Sequence, residues 1–126
     1  MQFEVSTDDR IAAVDVTDDV EAALSDGATG VCTVFVRHTT AGVVVNEAES
    51  GLLDDIERFV AAVGPDKDWQ HDRIDDNADA HLRSMLVGRD VTVPVTDGSL
   101  DLGTWQSLLL VECDGPRRRT VDVRVH

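Results

Sequence analysis

Apolar and polar positions along this 126-residue chain fall into short runs whose period changes several times. Gln2–Ser6 alternates, which predicts a strand with one buried face. Residues 14–17 read as a short extended piece. Thr17 is placed to cap a helix over about 17–25, with Asp18, Asp19 and Glu21 near the positive end of its dipole. Val20, Ala23 and Leu24 form its apolar stripe and Gly27 stops it. Residues 30–37 (GVCTVFVR) are β-branched and almost continuously apolar, the signature of a buried strand, and 42–46 (GVVVN) form a second. The Ala41-Gly42 step between them permits a tight turn or bulge.

The period then becomes helical. Glu49 or Ser50 opens a helix to about Val63, with Leu52, Leu53, Ile56, Phe59, Val60 and Val63 on one face. Gly64-Pro65 ends it, and 66–76 is polar and irregular. Asn77 can cap a further helix to Val87, with Leu82, Met85 and Leu86 as its apolar face and Gly88 as its stop. From Asp90 the pattern is strand: 91–95, a turn at Asp97-Gly98, 102–113, a turn at Asp114-Gly115-Pro116, and 120–125. The last two read as an antiparallel hairpin. Strands, helices and a closing run of strands predict a single α+β domain over 1–126.

Charge narrows the partners. Twenty-five acidic against 11 basic residues give a net charge of −14, and no basic or aromatic-rich patch offers a nucleic-acid surface. No apolar stretch approaches a membrane span, and the first residues carry no signal pattern, so a cytoplasmic protein without membrane contact is expected. Asp outnumbers Glu 19 to 6, and Arg outnumbers Lys 10 to 1. That balance resembles chains adapted to high salt, where carboxylates hold water. Most acidic residues then serve solvation, and an Asp by itself marks no site. Cys32 and Cys113 sit inside apolar runs and read as buried thiols of a reducing compartment.

Candidate chemistry rests on other residues. His38 stands at a strand end, His71 in the polar stretch, and His81 one helical turn after Asn77 on the same face. Three histidines at element ends can build a catalytic or metal cluster, or can be three unrelated surface residues. Glu47 and Glu112 each follow an apolar strand, where a carboxylate must be paired, coordinated or at a rim. Arg117-Arg118-Arg119 can grip a phosphate or simply decorate a turn. The stretch from Gly98 to Gln106 fits no phosphate-loop pattern, and no nucleophile elbow or dinucleotide fingerprint is present.

Three segments in order resemble the YjbQ family. They are His38-Thr39-Thr40-Ala41 leading to Asn46-Glu47, then His71 with Asp76-Asn77, Ala80-His81-Leu82 and Leu86-Val87-Gly88. The third is Pro94-Val95 with Gly98, Leu102-Gly103-Thr104-Trp105-Gln106 and Glu112. The resemblance spans residues 3–125. It implies a YjbQ-like α+β fold with a β-sandwich and two or three helices, assembled as a homotrimer. It implies a polar pocket of His38, Glu47, His71, Asn77, His81, Gln106 and Glu112. A divalent metal, Zn or Mg, is expected on His38, His71 and His81. The implied activity is that of a secondary thiamine-phosphate synthase, which joins a hydroxymethylpyrimidine diphosphate to a thiazole phosphate and releases pyrophosphate. Such chemistry needs neutralisation of the leaving diphosphate and proton handling near neutral pH. His38, His71, His81 and Glu47 are the catalytic candidates. Asn77, Gln106, Glu112 and Arg83, with the 117–119 arginines, are the substrate-binding candidates. Two other readings use the same residues: a metal-dependent hydrolase or other small-molecule enzyme, and a trimeric binding module without catalysis.

Overall fold

The computed structural model describes residues 1–65 and 67–126; Asp66, in the polar stretch, lies outside the described residues. Among the described residues eight strands and three α-helices follow one another as β1 (Gln2–Ser6), β2 (Ala12–Asp15), α1 (Thr17–Ala22), β3 (Gly30–Val36), β4 (Ala41–Asn46), α2 (Ser50–Ala62), α3 (Ala78–Val87), β5 (Asp90–Thr96), β6 (Ser99–Leu100), β7 (Ser107–Glu112) and β8 (Arg118–Val125). A short 3₁₀ turn, Gln70–Arg73, precedes α3. All pairings are antiparallel. The strands form a five-stranded sheet in the order β1-β8-β3-β5-β6 and a three-stranded sheet in the order β2-β7-β4. The fold class is α+β, as the pattern predicts.

The two sheets enclose the main core. Val34, Val36, Val121 and Val123 from one sheet meet Val43, Leu108 and Leu110 from the other, and Val16 and Val20 close one end. A second, smaller core of Val60, Ala80, Val111 and Cys113 lies on the opposite side of the three-stranded sheet, beneath α2 and α3. β7 therefore feeds both cores, Leu108 and Leu110 inward and Val111 outward, which is why its run is apolar without alternation. Each fully buried leucine there contributes roughly 1.5–3 kcal/mol.

Several local expectations change. β3 and β4 do not pair; they belong to different sheets, and the chain crosses between layers at residues 37–40. Gly42 serves close approach rather than a turn: a Cβ there would collide with the Gly88 carbonyl and Val87, where α3 ends against β4. β7 and β8 are likewise not a hairpin but the interior strands of separate sheets. The expected strand over 102–113 begins only at Ser107, because Gly103 and Gln106 close a turn on themselves, the Gln106 N–H to the Gly103 carbonyl and the Gly103 N–H to Gln106 Oε1. Thr17 does not cap α1: its hydroxyl donates to Asp15 and accepts from the Leu108 N–H, tying the helix to β7.

α3 buries a different face from the one its apolar residues mark. Met85 and Leu86 are exposed, while Ala80, Arg83 and Ser84 are inside. The polar pair is buried because it has partners. The Ser84 hydroxyl donates to the Ala41 carbonyl, and Arg83 donates to Asp79 and to the carbonyls of Ala61, Val63 and Gly64 at the end of α2. Among the described residues no helix is long and apolar enough to cross a membrane.

A candidate polar cleft between the two sheets and the third helix

The 37–40 crossover, the loop after β7 and the first turns of α3 meet around an open cavity of about 630 Å³. Arg37, His38, Thr39 and Thr40 form one wall, Asp75, Asn77 and His81 another, and Asp114 with Arg117, Arg118 and Arg119 the third. A second hollow of about 580 Å³ shares His38, Thr39 and His81 and extends toward Met85, Gly88 and Arg89. The two rings thus stand where the basins meet.

Beneath the cleft lies a buried ion pair. Glu112 is fully buried, and Arg119 is 2% exposed. The Arg119 guanidinium donates to both Glu112 oxygens and to the carbonyl and hydroxyl of Thr40. Thr7 Oγ1 and the Asp114 N–H also donate to Glu112. Burial alone would raise the Glu112 pKa; the hydrogen bonds from Arg119, Asp114 and Thr7 outweigh it and hold the carboxyl below its ordinary value. Glu112 is thereby fully occupied, and it acts on the cleft by fixing Arg119, and through Arg119 the Thr40 end of the crossover.

The arginine run alternates as a strand requires. Arg118 points outward to Glu4, Arg119 inward to Glu112, and Arg117, before the strand, turns back on Asp114. Asp114 also accepts from the Asn77 amide at 2.8 Å. Partial burial would raise its pKa, but the Asn77 and Arg117 hydrogen bonds prevail and lower it. Asn77 occupies the N-cap position of α3 without capping it; Asp72 Oδ1 accepts the Ala78 N–H instead, which frees the Asn77 amide for Asp114. Asn77 Oδ1 is buried with no hydrogen-bond partner among the described residues. Asp79, in the first turn of α3, is held by Arg10 and Arg83.

The histidines differ in their surroundings. His38 Nε2 accepts the Thr120 N–H at 2.8 Å, while burial and the Arg119 charge lower its pKa. His71 and His81 meet edge to face with centroids 4.6 Å apart. His71 Nε2 is buried without a hydrogen bond among the described residues, and Asp75 Oδ2 lies 3.8 Å from it. Among the described residues no group of three His, Cys, Asp or Glu side chains is arranged to hold a metal ion. With the Nε2 lone pair of His38 already engaged, the three rings as they stand do not fit a divalent cation.

His38, His81 and Asn77 therefore line one cleft, His71 abuts His81, and Glu112 supports the floor. The other named residues lie elsewhere. Arg83 is buried behind α3. Glu47 and Gln106 stand at the far end of the β4–β7 ladder, where Asn46 faces Ser107 rather than Ala41 facing Glu112. That end is five ladder steps away, about 17 Å at ~3.4 Å per residue. Sequence reasoning missed Asp75, Asp114, Arg37 and the crossover threonines. The aspartates were hidden by the acidic background, and the threonines are marked only by their place in the first motif segment.

Comparison with known proteins agrees with this architecture. A family model described as "UPF0047 protein YjbQ-like" matches residues 1–126. A UPF0047 protein of Archaeoglobus fulgidus is 46% identical over 98% of both chains, and one of Methanothermobacter thermautotrophicus is 43% identical over 98% of this chain and 89% of its own. The crystal structure of hypothetical protein APE1520 from Aeropyrum pernix superposes with a TM-score of 0.94 at 45% identity, covering 100% of this chain and 96% of that one. A YbjQ-like protein of unknown function from Sulfolobus solfataricus gives 0.93 at 42% identity, covering 99% and 94%. With its whole length matched, the chain belongs to the YjbQ-like UPF0047 family.

Proposed function

We propose that this chain is a cytoplasmic transferase of the thiamine-phosphate-synthase type, with the His38/His81 cleft as its site. In that reaction the thiazole ring nitrogen attacks the pyrimidine methylene carbon. The carbon–oxygen bond to the diphosphate breaks and pyrophosphate leaves with the electron pair. The observation that carries the reading is the clustering of Arg117 and Arg118 with His38, His81 and Asn77 around one open cavity. Arg117 and Arg118 each keep guanidinium N–H groups beyond their single carboxylate partners, and these can meet phosphate oxygens. The His81 ring lines the same cavity and offers a nitrogen for proton transfer with a bound substrate. Mg²⁺ carried in on the diphosphate substrate would supply further charge neutralisation there.

The resemblance also motivates a homotrimer. Support comes from an apolar groove of about 640 Å³ between β4, α2 and α3, lined by Val44, Ile56, Phe59, Val63 and Leu86, with Phe59 71% exposed. A second copy would cover it. Light scattering in dilute buffer and in molar potassium chloride tests this: trimers that loosen at low salt are expected from three chains of charge −14. A monomer at all salt concentrations removes the trimer.

For the chemistry, purified protein is incubated with both phosphorylated substrates and Mg²⁺ at high salt, and thiamine phosphate and pyrophosphate are measured. Formation of both in equal amounts is expected, with a large loss in His81→Ala. No product, together with Zn²⁺ uptake that depends on His81, would favour the hydrolase reading instead.

A further inference from the structure

We infer that His38 is a fixed hydrogen-bond donor to an oxyanion through Nδ1–H, and is not a metal ligand. The argument starts from the Thr120 amide. A backbone N–H can only donate, so the ring nitrogen it reaches, Nε2 at 2.8 Å, must present a lone pair. A neutral imidazole carries one proton, which then sits on Nδ1. The tautomer of a histidine is usually ambiguous; here its partner decides it.

That partner is immobile. Thr120 lies in β8, opposite Glu4 of β1, and its carbonyl accepts the Arg37 N–H from the crossover. The next ladder pair is Val36 with Val121. Turning the Thr120 N–H away would break the register of an interior strand. A metal on Nε2 would displace this amide and leave it unpaired. A metal on Nδ1 would require an imidazolate, since Nε2 is already an acceptor. Both routes are costly, and they account for the misfit of the three rings to a divalent cation.

The surroundings select the opposite ligand. Protonating the ring would set an Nε2–H against the Thr120 N–H, and burial followed by the Arg119 and Arg117 charges opposes it further, so His38 stays a neutral donor. The same arginines favour negative charge in the space the ring faces. Among the described residues Nδ1 has no hydrogen-bond partner within the chain, and the ring lines the cleft beside Arg117 and Arg118. The chemistry that fits is a phosphate or diphosphate oxygen, steered by the arginines and aligned by Nδ1–H. This rests on reading the cleft as the phosphate-binding site.

The test is histidine-selective ¹⁵N NMR on the full chain, first without ligand, then with inorganic pyrophosphate free of metal, then with Zn²⁺ alone. The Nδ1–H tautomer is expected in the free protein. Pyrophosphate should shift the His38 Nδ1–H resonance, and Zn²⁺ should leave both His38 nitrogens and the Thr120 amide unmoved. An Nε2–H tautomer, or a Zn²⁺-induced shift of His38 with loss of the Thr120 hydrogen bond, overturns the inference. An unmoved Nδ1–H on pyrophosphate addition overturns its oxyanion half. By titration calorimetry His38→Ala should bind pyrophosphate about 10-fold or more weakly, the weight of one hydrogen bond to a charged acceptor. His38→Asn, which can place an N–H near the Nδ1 position, should recover part of the loss. None of these readouts uses turnover. A protein that makes no thiamine phosphate yet shows them loses the transferase reading and keeps this one.

Discussion

At one end of the β4–β7 ladder Ala41 faces Glu112, and at the other Asn46 faces Ser107. Glu47 and Glu112 have the same sequence signature, a glutamate after an apolar strand, yet they live differently. Glu112 is fully buried and collects hydrogen bonds from Thr7, Arg119 and Asp114. Glu47 is half-buried, and its neighbourhood is organised locally: its N–H donates to Asn46 Oδ1, and Gln106 Oε1 accepts from Gly103 three residues away. One end is assembled from segments remote in sequence and forms the wall of a cleft. The other is held by its own neighbours and offers a surface. A carboxylate at a strand end is therefore informative only once the rest of the fold shows whether partners arrive.

The sharpest way to break this contrast is to remove one side of the buried pair. Glu112→Ala leaves the Arg119 charge uncompensated and should cost about 3–5 kcal/mol in urea unfolding. A Glu112→Leu, Arg119→Met double variant should recover much of that stability while losing pyrophosphate binding, because Thr40 is no longer held. A double variant that bound normally would show that the pair does not position the cleft.

A smaller effect separates stability from the cleft. Arg83→Lys gives up the fork that reaches the Ala61, Val63 and Gly64 carbonyls as well as Asp79. About 2 kcal/mol should be lost, with pyrophosphate affinity unchanged. Weakened binding would place Arg83 nearer the chemistry than its burial indicates.

Acid titration resolves the cleft end further. The folded Glu112 carboxyl lies below its ordinary 4.5, so its stabilisation is complete above that value and is lost as the pH falls through the lower folded one. His38 lies below its ordinary 6.5 and is held neutral, so stability also declines as acidification below 6.5 forces a proton onto it. Stability measured against pH should therefore fall in two steps. His38→Asn should flatten the upper one, and the Glu112→Leu, Arg119→Met pair the lower. A profile unchanged by either substitution contradicts these assignments.

The smallest effect belongs to the far end. Glu47→Gln and Gln106→Ala should each shift stability by no more than about 0.5 kcal/mol in the same assay. A loss comparable to that at Glu112 would mean the far end is also built from remote partners, and the contrast would fail.

Much of the secondary structure was legible because it is encoded locally. The alternation of Gln2–Ser6, the apolar stripe and Gly64 stop of α2, and the Asn77 and Gly88 limits of α3 all survive in the fold. Strand partnership was not legible, since a buried apolar strand reads the same in either sheet and a Gly-Pro turn does not reveal that the chain is changing layers. The buried face of α3 misled for a different reason. Arg83 and Ser84 go inside because carbonyls of α2 and β4 wait for them, which no periodicity reports. Of the candidate site, the histidine–asparagine part follows from helix spacing and the motif resemblance. Asp114 and Asp79 were lost among 19 aspartates, and only their arginine and asparagine partners distinguish them.

The placement of β7 and β8 has a consequence for how the molecule is made. β7 is the middle strand of its sheet and β8 separates β1 from β3, yet both come from the last part of this domain, Ser107 onward. A ribosome delivers β1, β2 and β4 well before the strands they must flank. Until then those segments wait as unpaired edges rich in valine, the form most open to association with other chains. The stretch from Ser107 to Val125, about 20 residues, takes roughly 1–4 s at ~5–20 residues per second; β7 lets the three-stranded sheet close first, and the five-stranded sheet closes only once β8 follows. Chaperone occupancy during synthesis should accordingly persist until β8 emerges and then drop abruptly.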